Sequence, residues 1–295
     1  MEKSQALLTH STTIHRSQNC AVCQTVTEQE ILYEKWGYSI LRCKVCYLGS
    51  AYVDDGFDAS RIYSEDYFQG RRKDGYADYV GSERVLRREF RRVLNKIRLY
   101  GPSEGRLLEV GCAYGFLLLE AQQYFESYGI EICEEAARAC QSRGLNVHCG
   151  TVNRKFLKEN GSFDLIIMLD VIEHLQEPAE VLRWLYEALS RRGSLMISTG
   201  DWESVIARVL KKHWRLMTPP QHLFYFSRRT MTGLLEKIGF RVAYCGRPWK
   251  SVPLGLAAYQ FGNRIGLRLS MLESLNRLAV PVNLFDTIQV IARKE

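Results

Sequence analysis

The chain has 295 residues, of which 46% are hydrophobic and 25% are charged, and its formal net charge is +7. This is ordinary globular usage, and no apolar run reaches the roughly 20 residues of a membrane span. Residues 1–18 are polar and lack the apolar stretch of a secretory signal, so we expect a flexible arm there and a cytoplasmic protein.

Four of the nine cysteines form two Cys-x-x-Cys pairs: Cys20 with Cys23, and Cys43 with Cys46. Two such pairs can close a tetrahedral site around one zinc ion with no open position, which predicts a structural zinc. The aromatic run 31–41 between the pairs indicates a short hairpin, so residues 19–50 are predicted to form a zinc-ribbon-like unit. A redox dithiol pair is the alternative. The other cysteines are scattered, which is typical of a reduced cytosolic protein.

Residues 51–103 are predicted to be a linker and a basic helix that pack on the core. In 82–99, apolar side chains fall on one helical stripe and arginines on the opposite face. Ten basic and four acidic side chains between 71 and 98 make most of the net charge a local feature. The arginine face is either a solvated surface or a site for the phosphates of nucleic acid or of a nucleotide-sugar.

From residue 104 to 295, predicted strands and helices alternate, which favours an α/β fold with a parallel sheet covered on both faces. The predicted strands are 106–110, 127–131, 145–148, 163–169, 194–199, 240–245 and 286–293, and the predicted helices are 115–125, 133–143, 176–190 and 228–238. Two insertions interrupt this order. Residues 200–227 follow the carboxyl end of a strand, where ligand sites of such sheets lie. Residues 248–285 are predicted to form a helical cap over the active site. The alternative interpretation of this segment is a helix on a membrane surface or a dimer contact.

The turn after the first of these strands predicts a nucleoside ligand. Glu109 is followed by Gly111 and Gly115 and then by an apolar helix. Glycine allows the chain to turn and a ligand to approach the backbone closely. Glu131 ends the next strand, where an acid can accept both hydroxyls of a ribose. The spacing Gly-x-x-x-Gly differs from the Gly-x-Gly-x-x-Gly of dinucleotide enzymes, which disfavours a nicotinamide dehydrogenase.

These motifs, together with the run from Phe163 to Leu175, resemble the class I S-adenosylmethionine-dependent methyltransferases over about residues 104–293. The cysteine unit and the segments 63–68, 75–79 and 221–227 resemble a subgroup of bacterial small-molecule and sugar methyltransferases with a zinc-ribbon extension. The resemblance implies a Rossmann-like sheet of seven strands, mostly parallel, with helices on both faces and the last strand antiparallel.

The resemblance also implies roles for single residues. Gly111 and Gly115 would admit the methionine part of the cofactor, Glu109 would orient that loop or the ammonium group, and Glu131 would hold the ribose hydroxyls. Thr151 stands where family members often place an acid or amide for the adenine amino group. The remaining positions implied at the cofactor site are Cys112, Ile132, Met168, Leu169, Asp170 and Tyr79. Tyr79 belongs, with Tyr63, Tyr67 and Tyr76, to a region that closes over the cofactor in the family.

His174, His222 and Tyr225 are the candidate catalytic residues. A hydroxyl or carbon nucleophile needs a base, and a histidine in a partly buried aromatic segment can have a tuned pKa. The structural alternatives are a helix-start hydrogen bond for His174, lid closure for His222 and core packing for Tyr225.

Three functions remain open from the sequence. The first is methyl transfer to a small molecule, such as a sugar or nucleotide-linked sugar. The second is an RNA or protein methyltransferase that docks through the zinc ribbon and basic helix. The third is a non-enzymatic zinc scaffold, which the intact set of Gly111, Gly115 and Glu131 opposes. Asp170–Glu173 replaces the Pro-Pro motif suited to exocyclic base amines, so nucleic acid is not favoured. The nucleophile and the oligomeric state are undetermined.

Overall fold

The computed structural model describes residues 15–54, 57, 79–253 and 279–295. The predictions for Tyr63, Tyr67 and Tyr76 lie outside these residues, and so does most of the predicted helical cap, at 254–278.

Strands and helices alternate from residue 105 onward, as predicted. The strands are β1 (His15–Asn19), β2 (Val26–Lys35), β3 (Tyr38–Cys43), β4 (Gly49–Ala51), β5 (Gly105–Val110), β6 (Phe125–Glu131), β7 (Asn146–Cys149), β8 (Phe163–Leu169), β9 (Leu189–Gly200), β10 (Phe224–Tyr225), β11 (Phe240–Gly246), β12 (Lys250–Pro253), β13 (Ala279–Val282) and β14 (Thr287–Lys294). The helices are α1 (Glu83–Tyr100), α2 (Phe116–Ala121), α3 (Glu134–Ser142), α4 (Arg154–Asn160), α5 (Pro178–Ala188), α6 (Val205–Leu210) and α7 (Arg228–Ile238).

Seven strands form the central sheet in the order β11-β14-β9-β8-β5-β6-β7. Neighbours from β9 to β7 are parallel, whereas β14 runs antiparallel to both β9 and β11. Residues 165–168 of β8 have no exposed surface because this strand lies mid-sheet with both faces covered. The predicted seven-stranded sheet with an antiparallel last strand is therefore confirmed.

Several element boundaries differ from the prediction. Helix α2 ends at Ala121, and not at 125, because Phe125 is already a buried residue of β6. Strand β9 begins at Leu189, which pairs with Phe163 before the register shifts. Helix α4 was not predicted; the Asn153 side chain caps it by accepting the N–H of Phe156. The last part of the predicted arm, from His15, is strand β1 and pairs with β2.

The cysteine-rich unit does not end at residue 50. Its sheet has the order β1-β2-β3-β4-β10, and β10 comes from the insertion at 200–227. The backbone N–H of Ala51 also donates to the carbonyl of Leu223 at 2.9 Å. The sheet of the predicted ribbon unit therefore includes a strand more than 170 residues away in sequence, which completes the edge of β4.

Further contacts attach both the ribbon and the insertion to the core. Lys237 on α7 donates to the carbonyl of Val22 at 3.1 Å, and Arg183 on α5 donates to the side chain of Gln24. In the insertion, Trp214 Nε1 and Arg215 Nε donate to buried Asp286 at 3.0 and 2.9 Å. The insertion is thereby fixed to the residue that precedes β14.

The basic helix α1 packs on the core through Leu94 and Ile97, which are almost fully buried. Two of its arginines also pair with Glu120 of α2, which is 4% exposed: Arg87 Nε lies 2.5 Å and Arg91 Nη1 3.0 Å from its carboxylate oxygens. Part of the positive charge of α1 therefore serves to attach this helix to α2. In the described part of the chain, no helix has the length and apolar character needed to cross a bilayer.

The ends of the second insertion are strands. Strands β12 and β13 form an antiparallel pair of their own, apart from both larger sheets.

Candidate functional site

The turn after β5 has a backbone that glycine makes possible. Gly111 and Gly115 have φ values of +74° and +72°, a conformation that side chains rarely adopt. A Cβ at position 111 would lie 2.6 Å from Val171 Cγ2, and one at 115 would lie 2.4 Å from Leu145 Cδ1. Both glycines are therefore required for packing within the protein, and Gly111 brings the turn against the segment that follows β8.

Glu131 holds this turn from the end of β6. Its Oε2 accepts the backbone N–H of Ala113 at 2.7 Å, and its Oε1 accepts that of Cys133 at 2.8 Å. The side chain is 4% exposed, and burial raises its pKa although these hydrogen bonds oppose the shift. The backbone of Ile132 also donates to this carboxylate, which leaves acceptor capacity for a ribose hydroxyl.

Glu109 is a buried carboxyl of the same turn. It is 4% exposed, and its Oε2 has no hydrogen-bond partner among the described residues. Burial raises its pKa well above 4.5, with smaller contributions from Cys140 and from the charge of Glu131. A buried carboxyl without a partner is costly, and a ligand cation such as an ammonium group would satisfy it.

The other predicted cofactor residues have varied surroundings. Cys112 is 2% exposed and its Sγ packs under β6, so only its backbone is available at the turn. Met168 is fully buried, Leu169 and Ile132 are partly buried, and Thr151 is exposed. Tyr79 stacks on Phe116 with ring centroids 5.4 Å apart, which covers the start of α2.

The chain turns sharply after β8. Asp170 has a φ of +53°, and its Oδ1 accepts the hydroxyl of Ser198 at 2.8 Å. A single 3₁₀ turn, Ile172–His174, follows at once. His174 Nδ1 lies 2.7 Å from the carbonyl of Gln221, which can only accept, so Nδ1 carries the proton. Burial lowers the pKa of His174.

His222 lies beside His174, with ring centroids 4.7 Å apart and planes at 73°. It is 8% exposed, and burial followed by the proximity of His174 lowers its pKa well below 6.5. The backbone N–H of Leu223 donates to the carbonyl of Glu173 at 2.9 Å, which fixes the two segments together. The two predicted catalytic histidines are thus brought together, and burial favours the neutral form of both by lowering their pKa values.

Tyr225 lies 6.3 Å from His222 between ring centroids and is 2% exposed. Burial raises its pKa well above 10. Within the described part of the chain its hydroxyl has no hydrogen-bond partner, and the same holds for two further buried atoms of the insertion, Trp202 Nε1 and Thr218 Oγ1. Sequence reasoning did not single out Trp202, Thr218 and Glu173 as site residues, because no local pattern shows that their polar atoms are buried.

The four predicted zinc ligands converge. The Sγ atoms of Cys20, Cys23, Cys43 and Cys46 all lie within 4.8 Å of one another. Cys20 and Cys46 are 3.5 Å apart and Cys23 and Cys43 are 3.9 Å apart, close to the edge of about 3.8 Å that Zn–S bonds of about 2.3 Å imply for a tetrahedron. The hydrogen bond between Cys20 and Cys46 lowers the pKa of Cys20 to about 5 and raises the pKa of Cys46, so the thiolate form is favoured at Cys20. All nine cysteines are free of disulfides.

Comparisons with known proteins identify the family of this chain. A family model described as a methyltransferase domain matches residues 82–244. The chain is 29% identical over 106 residues to a ubiquinone biosynthesis O-methyltransferase of Caulobacter sp. (strain K31), which covers 33% of this chain and 42% of that protein. It is 26% identical over 136 residues to a malonyl-[acyl-carrier protein] O-methyltransferase of Bacillus cereus, which covers 44% of this chain and 49% of that protein. The chain thus spans less than half the length of these curated relatives.

A solved structure shares the fold. The crystal structure of a SAM-dependent methyltransferase from Archaeoglobus fulgidus superimposes with a TM-score of 0.50 and 20% sequence identity. The match covers 73% of this chain and 99% of that one. At this identity the likeness supports the fold alone.

Proposed function

Since the chain belongs to the methyltransferase domain family, we propose that it transfers the methyl group of S-adenosylmethionine to a polar small-molecule acceptor. The cofactor supplies a methyl group that its sulfonium already activates, so the protein has to align the nucleophile and exclude water. The names of the curated relatives favour an acceptor oxygen.

The observation that carries this proposal is the pair of buried carboxyls at the glycine turn. Glu109 offers an unsatisfied Oε2 to the cofactor's ammonium group, and Glu131 offers its remaining acceptor sites to the ribose. Both lie at the carboxyl ends of neighbouring parallel strands, where open α/β sheets bind ligands. Ile132 and Thr151 would then face the adenine.

The acceptor would lie between the end of β8 and the insertion at 200–227. Val171 is in contact range of Gly111, which places the segment with His174 next to the cofactor turn. Across from it lie His222 and the unsatisfied hydroxyl of Tyr225. Buried polar atoms without partners are suited to the hydroxyl or carbonyl groups of a polar ligand, such as a sugar.

The arrangement of the basic helix disfavours RNA as the acceptor. Arg87 and Arg91 are engaged by Glu120, and Arg143 pairs with Glu83 at 3.1 Å. These arginines serve the contact between helices, which leaves a smaller positive surface for phosphates.

For the cysteine unit we propose one structural zinc ion, held by Cys20, Cys23, Cys43 and Cys46. Four sulfur ligands leave no open coordination position, so the ion would have no part in the reaction. Because β10 extends the ribbon sheet, the zinc unit would support the segment that carries His222 and Tyr225. This gives the ribbon a role in positioning the acceptor side of the site.

The test is a transfer assay with a methyl-labelled donor. The purified full chain is incubated with metabolite, RNA and protein fractions of cells, and labelled products are identified by mass spectrometry. We expect label in a polar small molecule, and much less label with the Glu131→Ala variant at a donor concentration below the dissociation constant of the variant. Label in RNA or protein alone would favour docking through the ribbon instead. Absence of transfer together with absence of cofactor binding by calorimetry would refute the proposal.

A further inference from the structure

We propose that Glu173, His174 and His222 bind a divalent transition-metal ion at the carboxyl end of β8. One ligand atom from each residue lies within 4.8 Å of the other two. Glu173 and His222 are 3% and 8% exposed, and His174 is partly buried. Small side-chain movements would bring the three atoms to the roughly 2.1 Å at which imidazole and carboxylate ligands bind such an ion.

The hydrogen bonds of the two imidazoles are those of metal ligands. Histidines that bind metals usually donate their other ring N–H to a carbonyl or a carboxylate, which fixes the ring and its tautomer. His174 does this with the carbonyl of Gln221 at 2.7 Å, so Nε2 is the ring nitrogen that would bind the ion. The backbone of Leu216 acts on the ring of His222 and favours its protonated form, as a nearby acceptor does, although burial lowers the pKa of His222.

The backbone holds the ligands in place before any ion arrives. Glu173 and His174 belong to one 3₁₀ turn, and the carbonyl of Glu173 accepts the N–H of Leu223, next to His222. The N–H of His222 in turn donates to the carbonyl of Thr218 at 3.0 Å. Ligands fixed on two segments that are bonded to each other lose little freedom when the ion binds.

The charges and donor types select the class of ion. Asp170 lies close enough to act electrostatically on both histidines, so with Glu173 the site has two carboxylates to balance a divalent charge. Two imidazole nitrogens favour first-row transition ions over Mg²⁺ and Ca²⁺, which prefer oxygen. Three protein ligands leave open positions for water or for an acceptor oxygen. That last role rests on the proposed function, whereas metal binding itself does not.

Co²⁺ is the probe, added to the full chain after its cysteine site has been filled with zinc. Zn²⁺ binds such sites more tightly than Co²⁺, so the added ion reports on the second site. Equilibrium dialysis should give about one Co²⁺ per chain. Glu173→Gln and His222→Gln should weaken binding at least tenfold, and the exposed control His213→Ala should not. Retained cofactor affinity, measured by calorimetry, identifies variants that are folded.

A measurement on the wild type avoids dependence on the variants. Proton spectra of the Co²⁺ complex should contain two strongly shifted, solvent-exchangeable signals, from the ring N–H groups of His174 and His222. Absence of bound Co²⁺, absence of these signals, or equal binding by folded Glu173→Gln would overturn the proposal. None of these outcomes depends on methyl transfer, so failure here leaves the proposed function intact.

Discussion

Glu131 accepts the backbone N–H of Ala113 at 2.7 Å and thereby ties the end of β6 to the glycine turn after β5. Ala113 has a φ of +46°, an unfavourable value for a residue with a side chain, and this hydrogen bond helps to hold it there. One carboxylate would thus both shape the cofactor turn and bind the ribose.

Replacing Glu131 by alanine should weaken S-adenosylmethionine binding at least tenfold, because hydrogen bonds to a charged group are worth about 1.5–3 kcal/mol. The variant should also be less stable, since the N–H groups of Ala113 and Cys133 lose their acceptor. Titration calorimetry and thermal unfolding measure the two effects. Glu134→Ala, at an exposed position on α3, is the control and should bind normally. Unchanged affinity in Glu131→Ala would exclude the ribose role.

Glu109→Gln separates the stability cost of the buried carboxyl from its value in binding. The raised pKa of Glu109 means that the folded state holds the proton more tightly than the unfolded state. Its contribution to stability is therefore full below about pH 4.5 and is lost as the pH rises through the folded pKa. Glutamine does not ionise, so Glu109→Gln does not lose stability in this way. The melting temperature of the variant relative to the wild type should therefore be higher at pH 8 than at pH 5.

The same substitution should weaken S-adenosylmethionine binding about tenfold or more, because the ammonium group loses its carboxylate partner. Glu104→Gln, on the exposed loop before β5, should change neither property. If Glu109→Gln binds the cofactor as tightly as the wild type, Glu109 has no contact with the ammonium group.

Cys43→Ser should abolish zinc binding, from about one ion per chain to none, as measured by metal analysis of the purified protein. Three remaining sulfurs leave the tetrahedron open. The melting temperature should also fall, because zinc binding is coupled to folding in such units. Cys149→Ser, at an exposed position, is the matched control. A folded wild-type chain without zinc would contradict the structural role of the cluster.

Glu120→Gln tests how α1 is attached to the core. The carboxylate is 4% exposed and binds Arg87 and Arg91, which are 37% and 52% exposed in their side chains. Because these arginines can turn to water, we expect a loss of about 1–3 kcal/mol in the free energy of unfolding, below the cost of leaving a fully buried charge unpaired. Urea denaturation measures it, and Glu159→Gln on the exposed face of α4 should have little effect.

Much of the central sheet was predictable because its pattern is local. Each parallel strand is a short apolar run, and Glu109, Gly111, Gly115 and Glu131 stand at fixed offsets from strand ends. The spacing of the cysteine pairs likewise predicted a common site. Boundaries were less predictable, as at α2, because burial of Phe125 in a neighbouring strand overrides helix propensity.

The acceptor side could be foreseen only in part. His174 and His222 were singled out separately, 48 residues apart, and no local signal indicates that their rings meet. The strand β10 has two residues and only pairs because β4 offers an edge. Likewise, Glu120 binds Arg87 and Asp286 binds Arg215 across long stretches of sequence, so no local pattern predicts these ion pairs.

The sequence by itself determined the sheet, the glycine turn, the acid at the end of β6 and the cysteine cluster, because each depends on periodicity or on spacing within one short segment. Only the tertiary structure decided that the ribbon is completed by β10, that Oε2 of Glu109 has no hydrogen-bond partner among the described residues, and that Glu173 and His174 lie beside His222. Those features arise where segments that are far apart in the chain pack together. Burial removes water from the polar groups there, and each such group then needs a hydrogen-bond partner from the protein or from a ligand.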